Sequence, residues 1–121
     1  EIIGGSAFSY NQITNLVLPD GLKEIGSYAF HHNQLTDISI PFGVETVGGF
    51  AFSVNAIESL VVPESVVYIG SSAFSQNNIS SLALSEGLVE IDSDAFRGNA
   101  IEAVQLPDSL KRLGGAALPT T

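Results

Sequence analysis

Apolar residues fall at fixed offsets along this chain and return every 22 positions. The pair Ala51-Phe52 recurs as Ala7-Phe8, Ala29-Phe30, Ala73-Phe74 and Ala95-Phe96, then fades to Ala117-Leu118, with no insertion or deletion between copies. Ile57, Leu60, Val62, Val66 and Ile69 each have an aliphatic counterpart one period earlier and one period later. A strict period in the range of roughly 20–50 residues is the mark of a solenoid, where each unit buries its apolar side only by stacking on its neighbours. Units or part-units open at Asn11, Asn33, Asn55, Asn77 and Asn99, giving about five 22-residue repeats.

Within a unit the pattern predicts two short extended pieces. Leu60-Val61-Val62 and its equivalents read as a period-two strand. Pro19, Pro41, Pro63 and Pro107 end that strand, since proline has no N–H for a ladder, and Ser85 stands there in the fourth unit. The second piece, Val67-Tyr68-Ile69 in the third unit, leads to Gly70. Gly4, Gly26, Gly48 and Gly114 share that place, with Asp92 as the exception. A fixed glycine there implies positive φ or close backbone approach. The Gly-x-x-Ala-Phe stretch is long enough for one helical turn and no more. Stacked units form parallel ladders, and five rungs make a rod about 25 Å long.

Composition narrows the partners. The chain has 121 residues, 45% of them apolar and 14% charged, which suffices for a continuous core under a surface of Ser, Asn, Thr and Gly. That is one domain, residues 1–121. Its net charge of −9 argues against nucleic acid or an anionic membrane surface, and Lys23, Arg97, Lys111 and Arg112 are too scattered to make a basic face. Without cysteine there is neither a disulfide nor a thiolate metal site. No apolar run is long enough to insert in a membrane, and no signal peptide opens the chain. The chain begins and ends in mid-repeat, so a fragment of a longer protein is expected.

The pattern Ile57-x-x-Leu60-x-Val62-Pro63, then Val66-x-x-Ile69-Gly70-x-x-Ala73-Phe74, resembles the leucine-rich repeats of BspA-like bacterial surface proteins. The resemblance covers essentially the whole chain. Two features depart from it. Gly21, Gly43, Ser65, Gly87 and Ser109 stand where leucine-rich repeats generally carry Asn or Cys, and the units are a residue shorter than is common in the subgroup. The resemblance implies a mostly β, right-handed leucine-rich-repeat solenoid with a parallel β ladder. It also implies a cell-surface or secreted bacterial setting and adhesion to host or matrix proteins, although fold alone does not fix function.

Each candidate site has a plain structural counterpart. The Asn column could present amides to a ligand, but strict recurrence favours an internal ladder that satisfies turn backbone. The Phe column reads as a stacked core beside small Ala residues. Asp20, Glu64, Glu86 and Asp108 share a column, and Glu90, Asp92 and Asp94 alternate within one unit. Without a cleft or a calcium loop these read as solvated acids. His31 and His32 are adjacent and lack a third metal ligand. No Ser-His-Asp spacing or phosphate loop is present. The expectation is therefore a protein that is not an enzyme and needs no cofactor.

Surface recognition remains. The outward strand residues Asn15, Asp37, Ser39, Ser59 and Val61, with Val17, form an open and shallow face without aromatic or Arg anchors. The bulky residues outside the core lie elsewhere. Tyr28 and Phe50 share one column, Tyr10 and His32 share another with Val54, and His31 sits between. Together they suggest an aromatic patch beside the turns, serving either a protein or sugar contact or packing against further repeats or a neighbouring domain. The ending Leu118-Pro119-Thr120-Thr121 is similar to the start of a sortase sorting signal but lacks its glycine, apolar tail and basic end. The leading expectation is a non-enzymatic module for binding or adhesion to a protein or glycan. The alternative is a structural spacer within a larger multidomain protein or enzyme. Uncapped coils at both ends would also invite end-to-end self-association.

Overall fold

The computed structural model describes residues 1–118, so the sorting-signal-like Pro119-Thr120-Thr121 lies outside the described residues. Each 22-residue unit makes one coil of a β solenoid, and the coils stack in parallel. The principal ladder is the second extended piece. It comprises β1 (Ile2–Ile3), β2 (Glu24–Ile25), β3 (Thr46–Val47), β5 (Tyr68–Ile69), β7 (Glu90–Ile91) and β8 (Arg112–Leu113). Six strands pair in that order, and Ile3, Ile25, Val47, Ile69, Ile91 and Leu113 lie in register. In the four inner rungs the second residue is buried in the core and the first is turned outward, so two residues suffice for a rung, while Leu113 of the last rung is exposed.

The first extended piece behaves differently from the expected strand ladder. Only β4 (Ser59–Val61) and β6 (Ser81–Ala83) pair, as a separate two-stranded sheet. The equivalent stretches 15–17, 37–39 and 103–105 follow the same path without becoming strands. The coils differ in the residue that follows this piece, which is proline, constraining the residue before it, in every coil but the fourth. The one pair of coils that does ladder is the pair whose second member carries Ser85. There the Ser85 hydroxyl donates to Val62 O (2.6 Å), and Val62 N donates to Ala83 O (2.9 Å).

The expected helical turn is absent from the described residues, replaced by paired tight turns. Ala29 N donates to Gly26 O and His31 N to Tyr28 O, both at 3.2 Å. The alternate amides of Tyr28, Phe30 and His32 instead donate to Gly49, Ala51 and Ser53 of the next coil, at 2.8–2.9 Å. Helical continuation is blocked because Tyr28 and His32 are left-handed, each with φ of 62°. The glycine column serves close approach, the second of the two expected roles. A Cβ on Gly70 would lie 2.6 Å from Gly49 N, so backbone of one coil presses directly on the next.

The core is a set of one-residue-wide columns. Phe30, Phe52, Phe74 and Phe96 are fully buried, and with Phe8 they stack at centroid distances of 5.3–5.4 Å and interplanar angles of 5–11° over the buried members. Burying each such ring is worth roughly 1.5–3 kcal/mol. Burial fails at the first coil, where Phe8 is 45% exposed. The Asn column is the internal ladder that its recurrence implied. Asn55 Nδ2 donates to Phe30 O and Phe52 O, and its Oδ1 accepts from Leu35 N, all at 3.0 Å. Asn33, Asn77 and Asn99 repeat this arrangement. Among the described residues every buried side-chain N or O atom has a partner.

Candidate functional site

Left-handed backbone organises the surface at the turns. Two columns carry it: Ser6, Tyr28, Phe50, Ser72, Asp94 and Ala116, then Tyr10, His32, Val54, Gln76 and Gly98 four residues on. Only Gly98 is the residue such φ values favour. A bulky side chain in this region costs on the order of 1 kcal/mol or more. The repeat geometry imposes the conformation on every coil, and the side chain is left to vary.

In the first three coils four of those positions are aromatic, Tyr10, Tyr28, His32 and Phe50, and with His31 beside them all five expected rings come together. Tyr28 and Phe50 stack with centroids 4.8 Å apart and planes 4° from parallel. Tyr10 stacks on His32 at 4.9 Å. His31 lies between the two pairs, edge-on to Tyr10 and Tyr28 at 5.2 Å each and to Phe50 at 6.2 Å. Tyr10 is 70% exposed and Tyr28 41%.

His31 is the pinned member. Its Nδ1 is hydrogen-bonded to the Ser53 hydroxyl, which also reaches Phe50 O at 3.2 Å. Partial burial and the neighbouring His32 hold the His31 pKa below the usual 6.5, against an opposing contribution from Ser53, so the ring is neutral at pH 7. A neutral imidazole edge packed between phenol and phenyl rings keeps the patch apolar at its centre.

The strand-face candidates lie apart from the patch. Asn15, Asp37, Ser39, Ser59 and Val61 are exposed, Val61 by 65% and the adjoining Val17 by 92%. Asn15, Val17, Asp37 and Ser39 line a shallow hollow floored by Leu16 and Ile38, with no ring at its edge. Among the described residues no three His, Cys, Asp or Glu side chains gather as a metal set. The carboxylates that alternate in the fourth unit disperse. Glu90 pairs with Arg112 at 3.8 Å, and Asp92 accepts from Ser93 N and the Tyr68 hydroxyl. Those two hydrogen bonds hold the Asp92 carboxyl below its usual pKa.

Asp94 goes elsewhere, into a hollow that periodicity did not single out. This hollow, of about 590 Å³, begins at Phe50 and is lined by Ser72, Ser75, Gln76, Asn77, Asp94, Arg97 and Gly98. It opens where the first left-handed column changes from ring to small polar residue, Tyr28 and Phe50 giving way to Ser72 and Asp94. The second column also loses its rings, passing from Tyr10 and His32 through Val54 to Gln76 and Gly98. That break in side-chain size was the available signal.

Compared with known proteins, residues 1–120 match the family model described as BspA type Leucine rich repeat region (6 copies). The chain belongs to that family. Neither a curated protein nor a solved structure matches it. The six copies agree with the six rungs of the principal ladder, because the part-unit before Asn11 supplies a rung of its own. In this BspA-type solenoid the Asn, Phe and Gly columns are committed to packing, and the repeats differ at the turn surface and on the outward strand face. Among the described residues no helix is long and apolar enough to cross a membrane.

Proposed function

We propose that this BspA-type solenoid is a non-enzymatic recognition module of a bacterial surface or secreted protein, holding a protein or glycan ligand at its turn surface. One observation carries the reading. Five rings from three coils converge on one patch, four of them (Tyr10, Tyr28, His32 and Phe50) at left-handed backbone positions where bulky side chains are disfavoured and glycine would relieve strain. Repeat proteins of this kind serve interaction through surfaces built across neighbouring units. Clustered exposed aromatics on such a surface support a contact site.

The test exploits the same backbone. Tyr28→Gly and Phe50→Gly remove the rings while placing at φ near 60° the residue that tolerates it best. Both variants should remain folded by circular dichroism and lose binding in a screen against glycans, peptides and extracellular matrix proteins. Unchanged binding by both variants would remove the patch from the reading. A folded wild-type chain that binds nothing in the screen would favour the spacer.

A further inference from the structure

We infer that the hollow beside Phe50 is a carbohydrate subsite, in which a neutral sugar ring takes the place of the missing third member of the surface ring ladder. The inference rests on the recognition reading above and names its ligand class. Tyr28 covers one face of the Phe50 ring at 4.8 Å, and the other side borders the hollow because the next residue in the column is Ser72. The stacking interval matches the spacing of adjacent strands, about 4.8 Å. A flat ligand resting on Phe50 therefore sits level with the coil of Ser72, in the space that a third aromatic would fill. A pyranose chair has the breadth of a phenyl ring and an apolar C–H face suited to stacking.

The rest of the lining suits the rim of such a ring. Asp94 offers a carboxylate acceptor, Arg97 a guanidinium donor 3.5 Å from it, and Gln76 one of each. The Ser75 hydroxyl spends its proton on Ser72 O, which leaves its oxygen to accept. Asn77 is spoken for, since its amide holds Phe52 O and Phe74 O. Carboxylate, guanidinium and amide within one hollow of about 590 Å³ match vicinal hydroxyls, and the volume lies in the range of small-molecule sites. The aromatic side chain of a peptide could stack on Phe50 but would bring no hydroxyls to these three groups. The paired Asp94 and Arg97 leave the hollow near neutral, and a chain charge of −9 opposes polyanionic sugars. The ligand is thus a neutral oligosaccharide.

The experiment is an NMR titration of the wild-type chain with cellotetraose, mannotetraose and chitotetraose, with a heparin tetrasaccharide and a tryptophan-containing tripeptide as comparators. One of the neutral sugars should shift Phe50, Ser72, Gln76 and Arg97 saturably, and heparin should not. Ser72→Tyr would extend the ladder by a ring, at a φ that Tyr28 and Phe50 already adopt. It should weaken the sugar by up to about tenfold, as for loss of one stacking contact. Asp94→Asn, which leaves the hollow open, should weaken it less. The inference fails if no neutral sugar binds at about 10 mM, the weak limit for a specific site, or if Ser72→Tyr leaves sugar binding unchanged. If the tripeptide occupies the hollow and no sugar does, the carbohydrate assignment is overturned while the recognition module stands. If binding found in the broader screen also survives Tyr28→Gly and Phe50→Gly, the aromatic patch falls as the module's site as well.

Discussion

The side-chain amide of Asn77 serves four backbone groups in two coils, the weakest being Ser75 O at 3.3 Å. It donates to Phe52 O and Phe74 O and accepts from Ile57 N, each at 3.0 Å and away from water. Leaving a buried polar group unpaired costs about 1–3 kcal/mol, so Asn77→Ala should destabilise the chain by roughly 3 kcal/mol or more. Asn77→Asp should be no milder, because a carboxylate accepts but cannot donate to the two carbonyls. Asn11, exposed and bonded only to Phe8 O and Ser9 O, gives the internal comparison. Its alanine variant should cost under about 1 kcal/mol. Urea midpoints at constant m-value measure both, and equal losses at the two sites would refute the ladder as a source of stability. This column was legible in the sequence because one residue type repeats where only one geometry satisfies it. The left-handed conformation of Tyr28, His32, Phe50 and Val54 was not. Positive φ is normally announced by Gly or Asn, and here the inter-coil hydrogen bonds impose it on residues chosen for other reasons.

At the scale of the element, the two extended pieces exchange the importance their composition suggested. Leu60-Val61-Val62 has the stronger strand pattern, yet the continuous ladder runs through two-residue rungs such as Tyr68–Ile69. Local pattern reported which residues face inward, and that held for both pieces except in the last coil, where Leu106 and Leu113 have no following coil to cover them and are exposed. It could not report which piece has donors facing acceptors across coils, since that depends on where prolines stack on one another. Ser85 tests the point. Ser85→Pro gives the fourth coil the residue its neighbours carry and removes the hydroxyl that donates to Val62 O. The expected cost is about 1 kcal/mol, with faster hydrogen exchange at Val62 N and no change at Gly70 N in the principal ladder. Unaltered protection of Val62 would mean that β4 and β6 pair independently of the serine. The hollow beside Phe50 was missed for a related reason. Recurrence marks packing, whereas a site made by the end of a run of rings lies in what fails to recur.

For the whole molecule, stability should be distributed along one dimension, because each coil touches only the coils before and after it. The principal ladder supplies a set of matched reporters. The amides of Gly26, Gly48, Gly70, Asp92 and Gly114 donate to Ile3, Ile25, Val47, Ile69 and Ile91 carbonyls at 2.8–2.9 Å. With the bonds alike, differences in hydrogen exchange at the five amides report position along the stack and little else. Core burial predicts the order: Phe52 and Phe74 are sealed between rings on both faces, while Phe8 has a ring on one face and is largely open. Gly70 should therefore exchange slowest, and Gly26 and Gly114 at least about tenfold faster, a gap equivalent to 1.4 kcal/mol of local opening. Phe52→Ala should cost about 3–5 kcal/mol and, by interrupting the stack at its centre, lower protection at Gly48 and Gly70 more than at Gly114. Five equal exchange rates would show the opposite, that the coils open only together. The aromatic patch would then be as rigid as the core beneath it. A graded profile instead places Tyr10, His31 and His32 on the looser end of the solenoid and the hollow at Phe50 over its firmest coils, which is where a site that must hold its shape for a sugar ring belongs.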